Sequence, residues 1–128
     1  MAQLITAAQD LTAGWVDLGA EQNMASYTRC AVWINLDIND STNARIRALA
    51  KVEGNATREY VLPIRVVGAG DVKVRAEYIE FDTDADQQMI LEVDTGGLIP
   101  IVQFQIQTGV AGAAPGQIDN ADITFSSY

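Results

Sequence analysis

The sequence predicts an all-β protein, an antiparallel two-sheet β-sandwich of jelly-roll type with eight or nine strands. Three observations lead there: apolar residues recur with period two in segment after segment, clusters of Gly, Asn and Asp separate those segments at close spacing, and no stretch shows a convincing helical repeat. At 128 residues the chain has the size of one domain, so residues 1–128 are read as a single sandwich with one core.

The elements follow in chain order. Short strand candidates lie at residues 4–6 and 15–18. The clearest strand runs over 29–38, where Cys30, Val32, Ile34, Leu36 and Ile38 share one face and Ala31, Trp33, Asn35 and Asp37 the other. Asn39, Asp40, Ser41, Thr42 and Asn43 then form a dense run of turn formers. Residues 45–52 put Ile46, Ala48, Ala50 and Val52 inward and Arg45, Arg47 and Lys51 outward, so the two segments read as a hairpin.

Glu53, Gly54 and Asn55 make the next turn, and residues 59–67 alternate again. Pro63 cannot donate to a ladder, which places that strand at an edge or bulges it there. After the turn at Gly68, Ala69, Gly70 and Asp71, the alternation of Val72, Val74, Ala76 and Tyr78 slips phase at Ile79 and Phe81. A bulge or strand end near Tyr78 is expected. Strands over 89–93 and 99–107 follow, separated by the turn Asp94, Thr95, Gly96, Gly97. A Gly/Ala-rich stretch at 109–116 reads as a flexible loop before the last strand, at 123–125.

Composition narrows the function classes. Hydrophobic residues make up 48% and charged residues 20%, the profile of a folded globular domain. Net charge is −9 and is unevenly placed: through Arg75 eight acids balance eight bases, and from Ala76 onward nine acids face no base. Such a chain repels nucleic acid and anionic membrane, whose binding depends on basic side chains. The first residues lack a basic segment followed by an apolar one, so a secretory signal is not expected, and the chain is read as made and folded in a host cytoplasm. The sequons at Asn39 and Asn55 are then chance matches.

The chemistry of catalysis is missing. There is no histidine, which removes the commonest general base and metal ligand and the usual nucleophile partner. Cys30 is the only cysteine and falls on an inward face, where it reads as a small buried hydrophobe. Asp82, Asp84 and Asp86 resemble the start of a calcium loop, but the EF-hand pattern needs Gly and Glu where this chain has Gln87 and Val93. An irregular calcium site there stands as an alternative to a solvated acidic loop. Gly68 to Gly70 lack the third glycine and the helix of a dinucleotide site. The expectation is a non-enzymatic protein with no catalytic residue, no metal and no cofactor.

Two features suit an interface. Gln103, Gln105 and Gln107 form a stripe opposite Val102, Phe104 and Ile106, and neutral amides pair across a contact without the desolvation cost of charges. Trp33 lies on the face opposite its strand's aliphatic residues and covers a second layer or a partner; Trp15 is the other tryptophan. Arg45 and Arg47 project outward from the basic middle of the chain, where the acidic last part of a neighbouring subunit could meet them. Arg45, Arg47, Gln103, Gln105, Gln107 and Trp33 are the candidate interface residues.

The run Trp15-Val16-Asp17-Leu18-Gly19, the segment from Val32 through Asn43-Ala44-Arg45-Ile46-Arg47-Ala48-Leu49-Ala50, Glu59-Tyr60-Val61-Leu62-Pro63-Ile64, Tyr78-Ile79-Glu80-Phe81 with Asp86-Gln87-Gln88, and Val102-Gln103-Phe104-Gln105-Ile106-Gln107 together resemble small structural proteins of tailed bacteriophages. The resemblance spans most of the chain and is most like the capsid decoration, or cement, class. It implies a jelly-roll domain, frequently a homotrimer, that sits on the outer capsid surface of the virion and binds the major capsid protein to stabilise contacts between capsomers. The alternative is a carbohydrate- or receptor-binding module of a phage tail or fibre that uses Trp15, Trp33 or tyrosines as stacking platforms.

Overall fold

The computed structural model describes residues 2–52, 55–68, 72–82 and 87–127; of residues 55–58 and 87 only the backbone is described. Among the described residues there are thirteen strand segments and no helix. In order they are β1 (Ala2–Gln3), β2 (Gln9–Asp10), β3 (Val16–Asp17), β4 (Gln22–Asn23), β5 (Arg29–Asn39), β6 (Ala44–Val52), β7 (Asn55–Leu62), β8 (Arg65–Gly68), β9 (Lys73–Val74), β10 (Ile79–Phe81), β11 (Gln87–Asp94), β12 (Ile101–Gln107) and β13 (Pro115–Ser126). Five of these are two-residue pairings, leaving eight longer strands.

They form two antiparallel sheets packed face to face. The front sheet runs β1-β13-β5-β11-β8, with β2 also on β13; the back sheet runs β3-β12-β6-β10-β9, with β4 also on β12 and β7 on β6. The β-sandwich expected from the period-two pattern is what the chain adopts; jelly-roll wiring is a finer reading that these strand orders do not establish. The inward rows meet in one core, in which Val32, Ile34, Leu36, Ile46, Phe81, Leu91, Phe104 and Ile106 are buried. Cys30 joins them at 2% exposure, as its alternation phase indicated, and burial pushes its thiol up to about 12, with Glu92 a smaller contributor.

The expected hairpin of 29–38 with 45–52 is not formed. β5 and β6 lie in different sheets, and residues 40–43 carry the chain across the sandwich. The reason is tertiary: this corner is stitched to the stretch before β13 and not closed on itself. Thr42 N donates to Val110 O and Asp40 N to Ala114 O, while Ser41 Oγ donates to Ala111 O and accepts from Gly116 N. The 109–116 stretch, expected to be a flexible loop, is therefore bonded along its length. Gly116 lies so close that a Cβ there would stand 2.5 Å from the Asp37 carbonyl oxygen.

Pro63 falls between β7 and β8, where the chain again changes sheets, and among the described residues both strands pair on one side only. The phase slip near Tyr78 is a strand end: β9 and β10 pair antiparallel, with Ile79 opposite Val74, and Arg75 N donates to Tyr78 O to close the turn. The last strand is far longer than 123–125. A β-bulge between Ile118 and Asn120 breaks its alternation, so that Ile118, Ala121 and Ile123 all face the core. The segment 83–86, with Asp84 and Asp86 of the proposed calcium loop, lies outside the described residues. Asp82 accepts a hydrogen bond from Lys73, and that bond together with the positive charges of Lys73 and Arg75 lowers its carboxyl below the ordinary range.

The N-terminal stretch holds one expected strand, with β3 inside the candidate at 15–18, whereas residues 4–6 lie just past β1, and β2 and β4 escape the alternation pattern. Its two-residue strands run along the outer edges of β13 and then β12, and Leu4, Leu11, Leu18 and Met24 drop into the core. Their backbone amides donate to Ala121, Gly116, Phe104 and Pro100 carbonyls at 2.7–2.8 Å. This lacing covers sheet edges that would otherwise offer unpaired backbone groups to another chain.

Candidate functional site

Two outer faces remain, and they are chemically unlike. On the back sheet, register places Gln107 opposite Arg45 and Arg45 opposite Glu80, while the next row sets Asp17 opposite Gln105 and Gln105 opposite Arg47. These cross-strand neighbours bond one another. Arg45 Nε donates to Glu80 Oε2 at 3.0 Å and its Nη1 to Gln107 Oε1 at 3.3 Å. Arg47 donates through Nε and Nη2 to Gln105 Oε1 at 2.9 and 2.6 Å, and Gln105 Nε2 donates to Asp17 Oδ1 at 3.0 Å. Gln107 Nε2 donates to Ala13 O.

Aromatic rings roof this lattice. The Arg47 guanidinium lies 4.2 Å from the Trp15 ring centre and that of Arg45 5.3 Å from Tyr78, and the two rings stand 6.1 Å apart at 57°. Partial burial lowers the Arg47 pKa despite the opposing pull of Glu59 and Glu77, although guanidinium stays charged throughout the accessible range. The result is a half-buried Trp-Arg-Arg-Tyr platform whose guanidiniums are already bonded to neighbouring side chains.

The structure thus brings four of the six expected interface residues, Arg45, Arg47, Gln105 and Gln107, onto one face. Gln103 belongs to the same stripe but is 1% exposed, its Nε2 donating to the carbonyls of Gly19 and Phe104. Trp33 is on the opposite sheet. Tyr78 and Glu80, which complete the platform, lie where the alternation slips, so periodicity could not align them with β6. Within the chain, basic residues of the middle pair with acids of the last part: Arg45 and Arg75 with Glu80, Arg65 with Glu92, Lys73 with Asp82.

The outer face of the front sheet is open. Trp33 is 44% exposed and sits between Ile90 on β11 and Asp122 on β13; one row along, Asn35 sits between Gln88 and Asn120. These six outward side chains surround an open depression of about 320 Å³, bounded on the β8 side by Gly68. Among the described residues, Asn35, Gln88, Asn120 and Asp122 make no side-chain hydrogen bond, in contrast to the saturated amides of the back sheet. The bulge at 118–120 swings Asn120 outward beside Asn35.

Among the described residues, no group of three or more His, Cys, Asp or Glu side chains is arranged to hold a metal ion. Comparison with protein families, with curated proteins and with solved structures returns no match.

Proposed function

We propose that this protein is a non-enzymatic structural component of a virion, a decoration protein that seats on the outer capsid surface and binds the major capsid protein. The observation that supports this reading is the Trp15-Arg47-Arg45-Tyr78 platform on the back sheet. Trp, Tyr and Arg are the side chains that dominate interface energetics, and here they are held by packing and cross-strand bonds before any partner arrives. A face whose rotamers are fixed in advance gives up little entropy on docking. The likeness to small structural proteins of tailed bacteriophages supplies the shell as partner, and a homotrimer with jelly-roll wiring goes with it.

The mechanism is additive. Each copy excludes a modest apolar area from water at about 25 cal/mol per Å², and many copies on one lattice gain avidity. The net charge of −9 keeps such a coat from competing for packaged DNA.

Co-sedimentation with empty expanded capsids tests the proposal, together with sedimentation of the free protein. Wild-type protein should pellet with shells and run as a trimer, and the double variant Trp15→Ala/Arg47→Ala should lose shell binding while its circular dichroism is unchanged. A monomer that ignores capsids at high concentration overturns it.

A further inference from the structure

The depression on the front sheet has a different chemistry from the platform, and it points to a different ligand. We propose that it is a saccharide site, selective for neutral sugars, in which Trp33 stacks against the apolar face of a pyranose ring. This goes beyond the decoration proposal and does not depend on it, since the two faces lie on opposite sheets.

Three features of the site fit a sugar. The first is the aromatic surface: Trp33 is 44% exposed although it stands at the middle of the central strand β5, flanked on both sides by paired strands. A large ring held open on a rigid sheet exposes apolar area that a ring of C–H groups can cover. Ile90, half-buried beside it, extends that apolar floor.

The second is the set of polar groups. Sugar hydroxyls each donate and accept, so a site for them needs both functions within a few ångströms of the stacking ring. Asn35, Gln88 and Asn120 each bring a carbonyl oxygen and an amino group, and Asp122 brings acceptors only. Among the described residues these four have no competing side-chain partner, whereas Gln105 and Gln107 on the back sheet are engaged. Three strands fix their spacing: Gln88, Asn35 and Asn120 lie in one cross-strand row and Ile90, Trp33 and Asp122 in the next. A volume of about 320 Å³ lies at the small end of ligand pockets and suits a mono- or disaccharide.

The third is charge. Asp122 lines the depression and Asp119 projects from the adjoining bulge, so sialylated, sulfated or phosphorylated ligands meet like charge. Neutral hexoses and their oligomers do not.

The test is a glycan array probed with the intact protein, followed by titration of the bound sugars monitored by amide chemical shifts. Neutral glycans should bind and anionic ones should not. Trp33→Ala should weaken binding at least about tenfold, Asn35→Ala and Asn120→Ala should each weaken it severalfold, and Asp122→Asn should relax the discrimination against anionic glycans. Trp15→Ala, on the other sheet, should leave sugar binding unchanged. Shifts on titration should cluster on β5, β11 and β13. Absence of any neutral glycan ligand overturns the inference, as does undiminished binding by folded Trp33→Ala. Loss of capsid binding in Trp33→Ala also overturns it, because this face would then be the shell contact; wild-type protein that binds sugars but no capsid instead rejects the decoration reading alone.

Discussion

The guanidinium of Arg47 sits over Trp15, 4.2 Å from the ring centre, and at the same time donates two hydrogen bonds to Gln105 Oε1. One side chain therefore fastens the N-terminal stretch to β12 and β6. Arg47→Lys keeps the charge but loses the guanidinium over the ring and the two-nitrogen contact with Gln105, so it should destabilise the fold by about 1 kcal/mol. A double-mutant cycle of Arg47→Ala with Trp15→Ala, measured by urea denaturation, should return a coupling of roughly 0.5–2 kcal/mol. Strict additivity would show that the stack contributes nothing.

Gly19 holds the same stretch against the other sheet. Its φ is +69°, and a Cβ there would stand 2.3 Å from the Leu4 carbonyl oxygen, a backbone atom that cannot swing away. Gly19→Ala should cost roughly 2–4 kcal/mol, seen as a lower urea midpoint. Gly14→Ala, with nothing within 4 Å of the added methyl, is the matched control and should change stability by less than about 0.5 kcal/mol.

Glu80 is the junction of the back-sheet lattice. It is 9% exposed and accepts from both Asn43 and Arg45, with Arg75 at 3.7 Å. Glu80→Gln keeps the shape but replaces a charged acceptor, and about 1–3 kcal/mol of stability should be lost. Thermal melts at low and high salt should show that the loss shrinks as salt rises, because part of it is screenable.

Cys30 sets a pH limit. Its thiol is pushed up from 9.0 to about 12 by burial, so the folded state holds the proton where the unfolded chain releases it. Stability tied to this group is complete below pH about 9 and falls as pH rises toward 12. Alkaline unfolding followed by circular dichroism should begin earlier in the wild type than in Cys30→Ala, a variant that costs about 1 kcal/mol or less at neutral pH. Thiol reagents should react with native protein only as fast as it opens.

Much of the sandwich was legible in the sequence, and so was the inward phase of Cys30, because side-chain alternation is a local property of an extended backbone. Arg45 and Arg47 were also placed outward by parity alone. Parity could not say which strands are neighbours. The row Gln107–Arg45–Glu80 joins three strands distant in sequence, and only pairing reveals that its members satisfy one another.

The same limit explains the misread segments. Leu4, Leu11, Leu18 and Met24 are spaced too widely to make an alternating run, and the bulge before Asn120 cancels the period of β13. The turn formers at 39–43 fit a hairpin or a crossing between sheets equally well, since local turn chemistry fixes direction and not the partner. By itself, then, the sequence determined the all-β class, the core rows of β5 and of β6 as far as Ala50, and the split of charge, each set by short-range geometry or composition; Val52, placed inward by parity, is exposed where the β6–β7 register shifts. The tertiary structure alone decided that the amides of β12 are engaged while Asn35, Gln88 and Asn120, around Trp33, have no side-chain partner among the described residues. That distinction depends on which strands lie side by side, and long-range pairing is what packing of the two sheets selects.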